Sequence, residues 1–173
     1  INNSQGEIEW GSFLMYSDDR GNTWQLGHIF ERKSNECLSV ELNNGSILTM
    51  LRQNRENTSL MAKKVSISNN GGINSSKPVY HKDLTSPIVM TSIIDHTDEI
   101  LVYSGPNHEN QRMNMTLKVS HDSGKTFSTS KLLFNGPSAY SDLTVMEDNT
   151  ICCIFECGSR NSHETLAFIQ TSL

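Results

Sequence analysis

The sequence predicts an all-β fold assembled from repeated units, and three observations predict it. A short motif recurs at a nearly constant interval. The segments between its copies alternate brief apolar runs with turn residues, and no stretch carries a sustained helical period. The first copy is Ser17-Asp18-Asp19-Arg20-Gly21-Asn22-Thr23-Trp24, and Ser120-His121-Asp122-Ser123-Gly124-Lys125-Thr126-Phe127 repeats its pattern. Between them, Ser68-Asn69-Asn70-Gly71-Gly72-Ile73-Asn74 is a worn copy, with Asn70 in place of Asp and Asn74 in place of Thr. The leading serines stand 51 and 52 residues apart. A period near 50 residues is what one four-stranded blade of a β-propeller requires.

The motif has a mechanical reading. Its Ser and Asp side chains bond the backbone of a tight hairpin turn, its Gly takes a positive φ, and its aromatic residue tucks beneath the turn. This is the Asp box, here spanning residues 17–24, 68–75 and 120–127, with the middle copy degenerate. Asp19 and Asp122 therefore fold turns and do no chemistry, and Trp24 and Phe127 are expected to be buried. Cys37 to Met50 reads as two strands around Asn43-Asn44-Gly45, a two-residue hairpin signal. Ile100–Ser104, Met115–Val119, Leu143–Met146 and Ile151–Phe155 are further strand candidates, separated by Gly, Asn, Asp and Pro. Residues 1–173 thus read as one all-β domain of a little over three blades. Three blades do not close a ring, and an open one leaves strand edges unpaired. With Ile1 in first place, the chain is expected to be part of a longer polypeptide whose other blades precede it.

Composition narrows the function. A net charge of −5 and the lack of a basic stripe exclude nucleic acid as a partner. No apolar run approaches the roughly 20 residues that span a bilayer. Cys37, Cys152, Cys153 and Cys157 offer no opposed CxxC pairs, and the six histidines show no ligand spacing, so no metal is expected. The cysteines read as free thiols. Because Cys152 and Cys153 are adjacent on a strand, at most one is expected in the core.

Four stretches lie at fixed offsets from the boxes. Asn35-Glu36-Cys37-Leu38-Ser39-Val40 runs on to Leu51-Arg52, and Gln111-Arg112-Met113-Asn114-Met115 leads into the last box. Ser138-Ala139-Tyr140-Ser141-Asp142-Leu143 follows, and then Cys153-Ile154-Phe155-Glu156. Arg112 stands eight residues before Ser120 and Tyr140 twenty after it. In this order and spacing the chain resembles the retaining exo-sialidases, including the animal cytosolic type with its NEC and AYSDL signatures. The resemblance implies a six-bladed β-propeller, of which this chain supplies the C-terminal half. It implies that Tyr140 is the nucleophile, Glu36 the glutamate that activates it, and Arg52 and Arg112 two of three arginines gripping the sialic acid carboxylate. Glu156 corresponds to the carboxylate that buttresses the first arginine. That arginine and the acid/base aspartate belong to the family's N-terminal half. Between Leu84 and Ser92 the chain departs from the family, with Val89-Met90-Thr91-Ser92 where many members have a CQGS-like segment.

These residue types suit the implied chemistry. Sialic acid bears a carboxylate on its anomeric carbon, which would repel a carboxylate nucleophile. A neutral phenol avoids that repulsion, and a glutamate can withdraw its proton as attack proceeds. Arginine's planar fork donates two parallel hydrogen bonds to a carboxylate and keeps its charge. No cofactor is implied. The expected substrates are sialylated glycoproteins, glycolipids or oligosaccharides. Two alternatives stay open: a trans-sialidase, in which a sugar hydroxyl or the sialic acid's own hydroxyl replaces water, and an inactive propeller that only binds sialic acid. Outside this pattern each residue has an ordinary reading, Tyr140 as a half-buried core tyrosine and Glu36, Arg52, Arg112 and Glu156 as surface charges. Asp142 is read as capping a turn, and His163 as a loop histidine.

Overall fold

A computed structural model describes residues 11–31, 34–52, 61–97 and 99–173. These form twelve strands and no helix: β1 (Phe13–Tyr16), β2 (Gln25–Ile29), β3 (Cys37–Glu41), β4 (Ile47–Leu51), β5 (Ala62–Ser68), β6 (Val79–Thr85), β7 (Ser92–Thr97), β8 (Ile100–Pro106), β9 (Met113–Ser120), β10 (Thr129–Val145), β11 (Ile151–Cys157) and β12 (Thr165–Thr171). All neighbouring strands pair antiparallel. The sheets run β1-β2, β3-β4-β5-β6 and β7-β8-β9-β10-β11-β12. The last sheet is two blades joined through one strand. Residues 129–137 of β10 pair with β9, whereas residues 138–145 pair with β11. The first half of β10 is thus the outer strand of one blade and its second half the inner strand of the next.

The innermost strands β3, β7 and the second half of β10 line one open cleft through Leu38–Glu41, Ser92–Asp95 and Asp142–Val145. The cores lie between successive blades. One joins Val40, Leu48 and Met50 to Ile93, Leu101, Tyr103 and Phe127. The next joins Val102, Met115 and Leu117 to Leu143, Ile151, Cys153 and Phe155. Strand β8 serves both, sending Leu101 and Tyr103 to one side and Val102 to the other, as the two-residue strand period dictates. Each fully buried side chain of this size contributes about 1.5–3 kcal/mol.

All three boxes close hairpin turns, the first between β1 and β2, and the second and third between the third and fourth strands of their blades. In the first, Gly21 N–H bonds Ser17 Oγ at 2.7 Å, Thr23 N–H bonds Asp19 Oδ1 at 2.8 Å and Thr23 Oγ1 bonds Asp19 Oδ2 at 2.7 Å. In the last, the matching bonds from Gly124 and Thr126 measure 2.8, 2.8 and 2.7 Å. The worn copy keeps two of them, Gly72 N–H to Ser68 Oγ at 2.9 Å and Asn74 N–H to Asn70 Oδ1 at 3.0 Å. Gly21 and Gly124 sit at φ of +88° and +81°, where a side chain is strained. The Thr126 backbone bond leads the interactions that hold Asp122 at about pKa 2. Its share of stability is therefore present above the ordinary value of 3.8 and lost as pH falls towards 2. Asp122→Ala, which deletes these bonds, is expected to cost about 1–2 kcal/mol at neutral pH. Equilibrium denaturation checks this, and the difference should shrink at pH 2.

Four expectations are corrected. Trp24 is 60% exposed, because the sheet β1-β2 has only two strands among the described residues and leaves Phe13, Met15, Leu26 and Ile29 exposed with it. The indole instead folds over its own turn, donating to Gly21 O at 3.1 Å. Phe127, between two blades, is buried. The β3–β4 hairpin has three loop residues: Gly45 N–H bonds Leu42 O, Leu42 N–H bonds Ser46 O, and only Gly45 takes a positive φ. Cys152 and Cys153 are both buried. Cys153 faces the core, while small Cys152 is roofed by Gln170, which reaches both its Sγ and Met146 Sδ. Asp142 caps no turn: it lies within β10 and accepts from Ser92 Oγ at 3.0 Å, tying two inner strands together.

Candidate active site

Chain direction fixes where the candidate residues fall. Glu36 immediately precedes β3, Arg52 follows β4 and Arg112 precedes β9. Tyr140 lies early in the inner half of β10, and Glu156 lies near the end of β11. In an antiparallel blade these positions share one end. The Asp boxes follow β1, β5 and β9 and so occupy the opposite end.

Three of the five residues meet directly. Tyr140 Oη donates to Glu36 Oε1 at 2.7 Å. Arg52 Nη1 donates to Glu36 Oε2 at 2.6 Å and to Tyr140 Oη at 2.8 Å, closing a triangle. The backbone holds it, since Arg52 N–H bonds Glu36 O at 2.8 Å across the end of the β3–β4 pair. Arg112 sits over the Tyr140 ring, with its guanidinium carbon 5.6 Å from the centroid. Its backbone carbonyl accepts from Ser138 N–H at 2.8 Å, and its Nη2 donates to Ile88 O at 3.0 Å. The two arginines thus address one tyrosine, Arg52 at its hydroxyl and Arg112 at its ring. Glu156 accepts the Tyr140 backbone N–H at 3.2 Å through Oε2, anchoring the tyrosine from behind.

Electrostatics follow from these contacts. Burial alone would raise the Glu36 carboxyl, but bonds from Arg52 and Tyr140 outweigh it and hold Glu36 below its ordinary 4.5. Burial and the bond to Glu36 raise the Tyr140 phenol, against the pull of Arg52. At neutral pH the arrangement is a carboxylate poised to accept a proton from a neutral phenol, with a guanidinium bridging both.

Two residues at this site escape a sequence reading. His163, in the loop between β11 and β12, donates from Nδ1 to Glu156 Oε2 at 3.1 Å and faces Arg112 Nη1 at 3.5 Å through Nε2. Nothing in its local sequence marks it. Lys63, on β5, is almost wholly buried and donates to Val89 O. Its signal was present: Lys63 and Lys64 are adjacent on a strand, so one of them must face inward.

Blades of one topology around a common cleft, turned by Asp boxes and carrying polar side chains at one end, define a β-propeller of the Asp-box class. Residues 3–153 match the model of the BNR repeat-like domain, and the chain belongs to that family. Its relatives are sialidases. It is 29% identical over 154 residues to a sialidase of Micromonospora viridifaciens, covering 84% of this chain and 23% of that protein. Among solved structures, the Hadza microbial sialidase Hz136 superposes with a TM-score of 0.79 at 27% identity, covering 92% of this chain and 31% of that one. The intramolecular trans-sialidase of Ruminococcus gnavus shares the fold at 22% identity, with a TM-score of 0.75 over 92% of this chain and 37% of that one. The described strands supply roughly three blades of such a propeller. The chain spans less than half the length of the curated relatives it matches. No helix among the described residues is long and apolar enough to cross a membrane.

Proposed function

We propose that the protein containing this chain is a retaining exo-sialidase, and that residues 1–173 form the C-terminal half of its propeller domain. The observation that carries this reading is the triangle of Tyr140, Glu36 and Arg52, with Tyr140 Oη 2.7 Å from Glu36 and 2.8 Å from Arg52. A phenol bonded to a carboxylate of lowered pKa is a nucleophile with its base in place. Arg52 and Arg112 supply the charge that attracts the sialic acid carboxylate.

In the first step the Tyr140 oxygen bonds to the anomeric carbon as the glycosidic C–O bond breaks. The Tyr140 proton passes to Glu36, and the leaving oxygen takes a proton from an acid in the other half of the propeller. In the second step water bonds to the same carbon as the tyrosyl C–O bond breaks. Glu36 returns the proton to Tyr140, and the water's proton goes to the conjugate base of that acid. Two displacements give retention. The substrates are sialylated glycoproteins, glycolipids or oligosaccharides.

NMR of the full-length protein acting on an α-sialoside tests this. The first sugar released is expected as the α anomer of sialic acid. Release of the β anomer first, or binding without turnover, overturns the reading. An anhydro sugar as product keeps the nucleophile and assigns the intramolecular trans-sialidase variant.

A further inference from the structure

The proposed chemistry leaves one buried charge unused. Lys63 is 1% exposed, and its ammonium donates to the carbonyl of Val89, which is itself fully buried. The preceding carbonyl, Ile88 O, is the one that Arg112 Nη2 bonds at 3.0 Å. Two cations from two blades therefore hold successive carbonyls of the segment joining β6 to β7. No described carboxylate stands in ion-pair contact with Lys63. A buried ammonium without such a partner is costly, and a neutral donor would satisfy one carbonyl as well. Stability alone does not account for a lysine here.

The charged groups acting on Lys63 are Arg52 from the end of β4, Glu36 from the start of β3 and Arg112 from the start of β9. Lys64 points away, lying over the Tyr80 ring. Burial first, then Arg52, pushes the Lys63 ammonium down to about 7, while Glu36 opposes the shift. In return, Lys63 helps to lower the Glu36 carboxyl.

We propose that Lys63 is a positioning residue of the site: it pins the Ile88–Val89 backbone on which Arg112 is oriented, and it adds a third positive charge for a carboxylate ligand. This rests on the site being one that takes sialic acid, and it extends that reading to a residue outside the triangle.

The test uses the full-length protein and its Lys63→Met and Lys63→Arg variants. Calorimetry measures binding of 2-deoxy-2,3-didehydro sialic acid and of its methyl ester, which lacks the charge. Lys63→Met is expected to weaken the acid on the order of tenfold, the scale for losing one nearby positive charge at a partly screened site. The ester should be affected far less, Lys63→Arg should recover most of the loss, and the melting temperature at pH 6 should not fall. Equal weakening of acid and ester, or unchanged affinity for the acid, overturns the proposal. If neither variant folds, the wild type carries the test: affinity for the acid should drop between pH 6 and 8 as Lys63 discharges near 7, and a flat profile overturns it. Wild type that binds without turnover refutes only the catalytic reading, whereas wild type that binds no sialic acid refutes both.

Discussion

Tyr140→Phe is expected to lower kcat on the order of 10⁴-fold while leaving affinity for sialic acid nearly unchanged. The substitution removes one oxygen and little else. The ring stays under Arg112, and the backbone N–H still bonds Glu156. What disappears is the atom 2.7 Å from Glu36 and 2.8 Å from Arg52. Because burial and the Glu36 bond raise the phenol's pKa, Tyr140 is neutral at rest, and its nucleophilicity depends on handing its proton to Glu36 during attack. Phenylalanine has neither nucleophile nor proton. Steady-state kinetics on a fluorogenic aryl α-sialoside, beside equilibrium binding of free sialic acid, separate the two effects. A parallel loss of kcat and affinity would mean that Tyr140 only shapes the pocket.

Glu36→Gln is expected to lower kcat/KM by about 10²–10⁴-fold, the range for losing a positioned base. The amide keeps nearly the same size but cannot take the proton. The same residue sets an acid limb. Glu36 acts only when ionised, and Arg52 and Tyr140 hold its pKa below 4.5, so kcat/KM should fall only as pH drops beneath the ordinary carboxylate range. Removing the bridging charge by Arg52→Met should move that limb to higher pH, since burial, which raises Glu36, then acts with less opposition. A pH profile of the free enzyme's kcat/KM checks both. An unmoved limb in Arg52→Met would detach Glu36 from the reaction.

The fold was legible in the sequence to the extent that local chemistry determines it. The boxes dictate their own turns through side-chain bonds, so Ser17, Ser68 and Ser120 mark equivalent corners even where Asn70 replaces Asp. Blade boundaries were less legible, because β10 runs unbroken from one blade into the next through Asn135-Gly136-Pro137, residues that in the sequence read as a turn ending the strand. Burial was misread where it depends on neighbours far along the chain. Trp24 has the same motif position as Phe127, but among the described residues only Phe127 has blades on both sides. Cys152 is covered by Gln170, eighteen residues on, which no alternation pattern reveals. At the site, Glu36, Arg52 and Tyr140 come together from 104 residues of chain, and only the order of motifs pointed to them. Lys63 and His163 carry no such motif. They reach the site because β5 begins, and the β11–β12 loop lies, beside it.

On the proposed mechanism Tyr140 forms a covalent bond to the sugar. The most direct measurement treats the full-length protein with 2,3-difluorosialic acid, whose 3-fluorine slows departure of a trapped sugar, and maps the adduct by peptide mass spectrometry. One fluorosialyl group is expected, carried by Tyr140 and absent from Tyr140→Phe. A protein that hydrolyses sialosides yet bears the label on a carboxylate, or stays unlabelled while inhibited, would contradict that mechanism.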